Sequence, residues 1–228
     1  MIALSYSRLS DFRQCPRKFH LKYIEKAPNF KMDAKSVHLI RGENVHRGLE
    51  NYVIKKRSGE KGIAQGTLPE VEQTKPLIDG LMSIYDLHPE HKCAINDRFE
   101  EVDWFARDAW FRAIFDVIGF GKDLFLGDWK TGKIYDYEGT SEKPGQLHLS
   151  AIVGSAIWPI FDKVQAVYVY VDHKQTKKES FDRDHCFAMR ETLIREHALV
   201  NDEKAFDAKK NQYCKWCEAL SSQCELKK

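Results

Sequence analysis

Two aspartates and a lysine lie close together near the middle of the sequence. Asp116 follows an apolar run that ends at Phe115, and Asp128 and Lys130 end the next apolar run. If the two runs are adjacent strands joined by a turn at 119–123, the three polar side chains converge at one end of a sheet. Carboxylate oxygens there can hold a divalent cation, and a neighbouring lysine can orient an attacking water. The spacing therefore predicts a site that hydrolyses phosphodiester bonds.

The elements that position these residues follow from the hydrophobic pattern. Apolar stripes at helical spacing predict helices, and runs rich in β-branched and aromatic residues between polar turns predict strands. Helices are expected at about 7–25, 33–57, 71–87, 144–157 and 186–206, and strands at about 94–107, 110–120, 123–130 and 164–171. This order predicts an α/β fold in which helices cover both faces of a mixed sheet.

Length and composition predict one globular domain. The chain has 228 residues, of which 43% are hydrophobic and 31% charged, with a formal net charge of +2. We expect a single domain over 1–228. No apolar run approaches the ~20 residues of a membrane-spanning helix, so no membrane partner is expected. The start of the chain lacks a basic and then apolar leader, which favours a cytoplasmic location.

A basic cluster near the start allows two interpretations. It contains two lysines and three arginines interleaved with aromatic residues: Tyr6, Arg8, Phe12, Arg13, Arg17, Lys18, Phe19, Lys22 and Tyr23. Such a pattern suits a groove that follows a nucleic-acid backbone and stacks on its bases. It equally suits a solvated helix face whose aromatic side chains lie in the core.

The six cysteines divide into two groups. Cys93 and Cys186 are isolated in apolar segments and are expected to be small buried residues. The other four suggest a metal site that joins the chain termini, with zinc and an iron–sulfur cluster both possible and free thiols as the alternative. These four residues are Cys15, Cys214, Cys217 and Cys224.

Several of these motifs, in this order, resemble those of one family. The segment 4–19, with its serine-rich helix start and Cys-Pro, resembles the opening of RecB-like nucleases of the PD-(D/E)XK superfamily. The Gly-x-x-x-His at 42–46, the Asp at Asp116 and the Asp-Trp-Lys-Thr-Gly at 128–132 resemble further motifs of that family, and Gln146 resembles its helix glutamine. The four cysteines resemble the ligands of a [4Fe–4S] cluster in the branch that contains the CRISPR-associated RecB-like exonucleases and the AddB-type repair nucleases.

The resemblance implies a fold, an activity and a set of site residues. The fold would be a restriction-endonuclease-like mixed sheet flanked by helices, with the helix at about 7–25 and the tail at about 207–228 forming the cysteine region. The activity would be that of a Mg²⁺- or Mn²⁺-dependent DNA exonuclease, directed to single strands or ends, in recombination, repair or end processing. A helicase or recombination protein is a possible partner. The implied metal ligands are His46, Asp116, Asp128 and the carbonyl of Trp129, and the implied catalytic residues are Glu101, Asp116, Asp128, Lys130 and Gln146.

Two of these assignments also follow from the positions of the residues along a strand. Lys130 lies two positions after Asp128, hence on the same strand face, where it can orient the water and neutralise charge. Glu100 and Glu101 are adjacent and face opposite sides of a strand, and we assign Glu101 to the site because it is in phase with Phe99 and Phe105.

The chain also departs from the family pattern at two positions. Ser150 stands where the family has a tyrosine four residues after its helix glutamine, so the role of that tyrosine must be absent or moved. Six residues rather than five separate Cys217 from Cys224, which keeps zinc as an alternative to the cluster. Two other functions stay open: a non-catalytic DNA-binding or assembly module, and a zinc-stapled structural protein.

Overall fold

The computed structural model describes residues 2–30, 37–59, 68–134 and 139–227. Within them lies one six-stranded sheet with the strand order β2-β1-β3-β4-β5-β6. All neighbouring strands are antiparallel except β4 and β5, which are parallel. The strands are β1 Asp86–Ile95, β2 Glu101–Val102, β3 Phe111–Phe120, β4 Leu124–Lys130, β5 Lys163–Tyr170 and β6 Gln175–Asp182. The predicted mixed sheet is therefore confirmed.

In the described ranges six α-helices surround this sheet, and one of them makes the crossover between its parallel strands. They are α1 Tyr6–Gln14, α2 Pro16–Phe19, α3 Val37–Ser58, α4 Pro69–Met82, α5 Gln146–Ile157 and α6 Arg183–Asp202. Helix α5 joins β4 to β5, as parallel neighbours require. No helix of the described ranges is both long and apolar enough to cross a bilayer.

Two apolar layers hold the helices to the sheet. On one face, α3 and α4 bury a stripe that includes Val45, Leu49 and Ile78 against Val117 and Trp129 of the central strands. The opposite face is covered by α1, α2, α5 and α6, whose buried members include Leu9, Phe19, Ile152 and Leu193. The sheet is thus covered on both sides, as the sequence pattern predicts.

Strand β5, next to the edge strand β6, is covered on both faces. Its residues from Val164 to Tyr170 are buried except Gln165, so it has no solvent-facing side. Such a continuous apolar run suits a strand between two layers of helices. Its neighbour β6 carries Lys177, Lys178 and Glu179, and charged side chains of this kind discourage further strand pairing at an edge.

Two predicted elements have different limits in the structure. The helix expected at 71–87 ends at Met82, because Leu87 pairs with Gly119 in the sheet and is buried there. The strand expected at 94–107 is interrupted after Ile95, where the side-chain oxygen of Asn96 accepts hydrogen bonds from two backbone N–H groups of the following turn. Residues 33–36, predicted to begin a helix, lie outside the described ranges, and the described part of that helix starts at Val37.

Candidate active site

Asp116 and Asp128 lie opposite each other on neighbouring strands. The ladder between β3 and β4 ends with the pair Val117–Gly127, and the two aspartates occupy the next positions along it. Residues that face each other across an antiparallel pair project to the same side of the sheet. Gly127 permits the close approach, since a Cβ atom there would lie 2.6 Å from Cγ1 of Val117. The structure thus brings the two predicted carboxylates together.

The carboxylate of Asp116 is held by one backbone group and one side chain. Its Oδ2 accepts a hydrogen bond of 2.8 Å from the backbone N–H of Trp129, and its Oδ1 lies 3.2 Å from Nδ1 of His46 on α3. Burial lowers the pKa of His46, but the charges of Asp116 and Asp128 outweigh it and raise that pKa above the usual value. His46 therefore joins the carboxylate pair from the helical side, as the resemblance implies.

The two oxygens of the Asp128 carboxylate have different partners. Its Oδ1 accepts from the side-chain amide of Gln146, whereas its Oδ2 is buried and has no hydrogen-bond partner of suitable geometry among the described residues. Nζ of Lys130 lies 2.6 Å from that Oδ2 as an ion pair. Burial raises the pKa of Asp128 and the nearby charge of Asp116 adds to the increase, against the opposing effect of Lys130. An ionised Asp128 is thus under-compensated by its protein neighbours.

Gln146 connects Asp128 to Lys130 and to a residue that the sequence did not single out. Nζ of Lys130 donates a hydrogen bond of 2.9 Å to Oε1 of Gln146, and the hydroxyl of Tyr168 donates one of 3.3 Å to the same oxygen. The ring of Tyr168 also lies 4.7 Å from Nζ of Lys130, a cation–π distance. Tyr168 reaches this position because it is paired in register with Asp128 across the parallel strands β4 and β5.

The loop after Lys130 is fixed by a charged cluster. The backbone N–H of Gly132 donates a hydrogen bond of 2.7 Å to Asp172, whose carboxylate also pairs with Arg41 at 2.5 Å. Arg41 pairs in addition with Glu70 at 2.5 Å. Gly132 has a φ of +91°, which favours glycine. These contacts hold the Thr-Gly end of the motif against α3 and α4.

A cleft of about 630 Å³ lies beside this cluster, and its lining includes a second residue that the sequence analysis missed. Glu90 lines this cleft together with His46 and Lys130. Its neighbours Pro89 and His91 pair with Val117 and Phe115, so Glu90 lies beside Asp116 in the register, and its carboxylate pairs with Lys92 at 3.0 Å. Glu90 has a φ of +32°, an uncommon conformation that is concentrated at functional sites. Its segment had no strand assignment from sequence, which is why it was overlooked.

The structure does not bring Glu101 to this cluster, which corrects the expectation that it faces the site. Glu101 pairs with Ile95 on the short edge strand β2, whereas Glu90 is the β1 residue beside Asp116 in the register. Five positions of strand separate Ile95 from Glu90, a distance of about 16 Å at the usual rise per residue. Glu100 lies in the turn and pairs with Arg98 at 2.8 Å. The turn after Ile95 is the physical reason for the difference.

The donor set fits a hard divalent cation. Among the described residues, no three His, Cys, Asp or Glu side chains are close enough to hold one ion between them. Mg²⁺ does not require three, since it is commonly bound by one or two carboxylates together with waters and substrate oxygens. Asp116 and Asp128 supply two carboxylates, and Lys130 is the cation that faces the buried Oδ2 of Asp128. The carbonyl of Trp129 stays a predicted ligand, while its side chain is buried against α3.

The four remaining cysteines line one cavity, which is formed by segments from near both chain termini. Cys15, Cys214, Cys217 and Cys224 are free thiols around a cavity of about 210 Å³. Sγ of Cys15 accepts a hydrogen bond of 3.4 Å from the N–H of Lys209. The backbone N–H of Asn211 donates a hydrogen bond of 3.3 Å to Sγ of Cys214. Backbone N–H groups that donate to sulfur are among the contacts by which proteins tune thiolate-ligated clusters. The four thiols therefore share one cavity, although no three of these described side chains are close enough to hold one ion between them.

Cys93 and Cys186 belong to a different environment. Both are buried in the apolar layer between the sheet and its helices, as predicted. Burial raises the pKa of the Cys93 thiol to about 12 and that of the Cys186 thiol to about 11. They are structural residues.

Hydrogen bonds between the termini surround the four-cysteine cavity. Nε of Arg17 donates to the carbonyl of Gln223 at 2.9 Å, and the side chain of Asn29 donates to the carbonyl of Glu218 at 2.6 Å. The amide of Asn211 in turn donates to the carbonyl of Gln14 at 3.1 Å. The tail is thus packed on the first helices, as the cysteine spacing suggested.

Most of the basic cluster near the start is neutralised within the protein. Lys18 and Lys22 both pair with Asp11, at 2.7 and 2.9 Å, and Arg13 pairs with Glu196 at 2.9 Å. The aromatic Phe19 is fully buried. These residues therefore fit the structural interpretation rather than that of an exposed nucleic-acid groove.

Comparison with known proteins agrees with this geometry. A family model described as the PD-(D/E)XK nuclease superfamily matches residues 3–225. The crystal structure of a protein designated SSO0001 resembles the chain with a TM-score of 0.50 and 15% sequence identity, over 96% of this chain and 84% of that one. At that identity the likeness shows the fold alone. No curated protein matches the chain.

Proposed function

The chain belongs to the PD-(D/E)XK nuclease superfamily, and from this premise we propose that it is a Mg²⁺- or Mn²⁺-dependent DNA exonuclease. We propose that it acts on single strands or DNA ends in recombination, repair or end processing, alone or with a helicase or recombination protein. One observation carries the proposal. Asp116 and Asp128 occupy the positions next to the last ladder pair of β3 and β4, and Nζ of Lys130 lies 2.6 Å from Oδ2 of Asp128.

Two carboxylates and their neighbours would hold the ion. Asp116 and Asp128 would supply the charged oxygens, with His46 and the carbonyl of Trp129 as further ligands. A bound Mg²⁺ or Mn²⁺ supplies Lewis-acid stabilisation of the phosphate and lowers the pKa of a coordinated water. The protein fixes both carboxylates beforehand, since Asp116 is held by the N–H of Trp129 and Asp128 by the amide of Gln146.

Lys130 places a positive charge beside these carboxylates. An ammonium group has three N–H donors; Gln146 accepts one and Asp128 faces a second. The third is left to hold the attacking water or a phosphate oxygen. Because negative charge grows on the phosphate in the transition state, a fixed cation at this point lowers the barrier to hydrolysis. The side-chain oxygen of Gln146 and the ring of Tyr168 both contact the ammonium group of Lys130 and hold it in place.

The four cysteines are proposed to hold a [4Fe–4S] cluster, with zinc as the alternative. Cys15 lies between α1 and α2, and the other three lie in the tail, so a bound group would join the two ends of the chain. Its contribution would be structural, because a site that forms only in the folded state adds its binding free energy to folding. Iron and sulfide analysis of protein purified without oxygen distinguishes a [4Fe–4S] cluster from zinc. A colourless, iron-free preparation that contains zinc would exclude the cluster.

Digestion of end-labelled oligonucleotides tests the enzymatic proposal. We expect wild-type protein to degrade single-stranded DNA with Mg²⁺ or Mn²⁺, and Asp128→Ala to lose at least about a thousandfold of that rate. Asp123→Ala is the matched control, since Asp123 lies in the turn at the opposite end of β4 and accepts a hydrogen bond from Gln165 at 2.9 Å. Mononucleotide products indicate an exonuclease and longer products an endonuclease. Equal cleavage by wild type and Asp128→Ala would remove the proposed mechanism.

A further inference from the structure

A second cavity adjoins the active site on the side of α1 and α5. Its volume is about 290 Å³, and Gln146 forms part of its wall while also contacting Asp128 and Lys130. No Asp or Glu is among the described residues that line it. The polar and aromatic lining residues that matter here are Tyr6, Ser7, Arg8, Trp104, Arg112 and Ser150.

Two arginines meet in this cavity without a carboxylate. Arg8 donates to the carbonyl of Ala3, and its guanidinium lies 5.2 Å from the ring centroid of Tyr23. Arg112 lies 5.5 Å from the ring centroid of Trp104, and its Nε is buried without a hydrogen bond. Neither arginine has an ion-pair partner in the part of the chain that the structure describes.

The charge of this pair is uncompensated in the protein. Burial lowers the pKa of Arg8 and the nearby charge of Arg112 lowers it further, against the opposing effect of Tyr23. Lys18 and Lys22, in the same basic cluster, share the carboxylate of Asp11 instead. Like charges placed together in partial burial are costly unless an anion completes the site.

The first turn of α1 adds a positive potential to the same cavity. Helix α1 begins at Tyr6 and has nine residues, with Ser5 as its cap. The oxygen of Ser5 accepts from the N–H of Arg8 at 3.4 Å, whereas the N–H of Ser7 belongs to the first turn, which has no intrahelical acceptors. The N-terminal end of a helix favours anions.

We propose that this cavity binds a phosphodiester of the substrate strand next to the one that is cut. The proposal rests on the nuclease function given above. Arg8 and Arg112 would hold the phosphate, and the shared wall at Gln146 would set its place relative to Asp128. The ring of Trp104 offers a stacking surface for the attached base. Ser150, with its small side chain, leaves the space open.

Binding of labelled single-stranded DNA in the absence of divalent cations tests the subsite without cleavage. Fluorescence anisotropy of a fluorescein-labelled oligothymidylate is measured over a range of NaCl concentrations. We expect Arg8→Gln and Arg112→Gln each to weaken binding about 5- to 10-fold at about 0.1 M salt and to reduce the salt slope by about 0.7. Arg183→Gln is the matched control, because Arg183 pairs with Asp162 at 3.1 Å near the start of β5, away from the cavity.

Two further measurements distinguish a loss of phosphate binding from a loss of folding or of cleavage. Circular dichroism establishes that each variant is folded, and Ser150→Phe, which fills the cavity, provides the test if Arg112→Gln does not fold. We expect the same loss of binding from Ser150→Phe. In steady-state cleavage the arginine variants should raise KM more than they lower kcat.

The outcomes distinguish this proposal from the enzymatic one. Arginine-dependent binding by a protein that cleaves nothing supports the subsite and removes the nuclease function. Cleavage by wild type with unchanged binding in the arginine and Ser150→Phe variants overturns the subsite and leaves the nuclease function intact. Absence of binding by the wild-type protein in this assay also overturns the subsite.

Discussion

Replacing Gln146 by leucine tests whether one side chain aligns the two charged groups of the site. The amide of Gln146 donates to Asp128 and accepts from Lys130 at 2.9 Å and from Tyr168 at 3.3 Å. Hydrogen bonds to charged groups contribute about 1.5–3 kcal/mol each. The side chains of Lys130 and Asp128 are 33% and 19% exposed, so water recovers part of this loss. We expect Gln146→Leu to lower the free energy of unfolding by about 1–3 kcal/mol.

The effect on catalysis should be larger than the effect on folding. Residues that orient metal ligands typically alter activity or metal affinity by 10- to 100-fold when removed, and we expect a loss of about that size in kcat for Gln146→Leu. Cleavage of single-stranded DNA at saturating Mn²⁺ provides the measurement, with urea unfolding of the same samples. Tyr168→Phe is the matched control, because it loses only the 3.3 Å hydrogen bond and keeps the ring beside Lys130.

The glutamate variant distinguishes alignment from simple packing. Gln146→Glu keeps an acceptor for Lys130 but places a negative charge beside Asp128 where the amide N–H had donated. We expect its activity to fall at least as far as that of the leucine variant. Full activity of a folded Gln146→Leu protein would refute the reasoning, since Lys130 and Asp128 would then be aligned without the glutamine.

The remaining predictions concern pH and the cysteines. His197 is buried, stacks on Trp110 at 4.3 Å, and burial lowers its pKa to about 4. In the unfolded chain the pKa of this histidine is about 6.5, so unfolding takes up a proton below that pH. We therefore expect the free energy of unfolding to fall by about 2 kcal/mol between pH 7.5 and pH 5. Urea unfolding at both values measures this, and His197→Gln should reduce the loss; an equal pH dependence in both proteins would contradict it. Cys214→Ser should lower both bound metal, measured by elemental analysis, and Tm, whereas Cys186→Ala should keep the metal; full metal content in Cys214→Ser would exclude the site.

The positions of Asp116, Asp128 and Lys130 in the sheet could be predicted because the pattern that places them is local. Two runs rich in β-branched and aromatic residues, joined by a short turn, place Asp116 near Asp128, and spacing alone puts Lys130 on the same strand face as Asp128. Strand ends shifted by a residue or so without changing this geometry. The structure therefore agrees with the sequence where contacts lie within one hairpin.

Contacts between distant segments could not be predicted in the same way. Tyr168 reaches Lys130 through the register of the parallel pair β4–β5, which the crossover helix determines and no local pattern reports. Glu90 lies beside Asp116 in the register because the segment after Met82 joins the sheet, where helix propensity had favoured a longer helix. Glu101 was placed wrongly because an uninterrupted strand was expected where Asn96 begins a turn.

Binding of Mn²⁺ measured by calorimetry tests the central claim most directly, namely that Asp116 and Asp128 share one divalent cation. We expect the wild-type protein to bind Mn²⁺ at this site, and Asp116→Ala and Asp128→Ala each to abolish that binding while Asp123→Ala retains it. Unchanged affinity and stoichiometry in both Asp116→Ala and Asp128→Ala would show that the facing carboxylates do not hold the ion, and the account would fail.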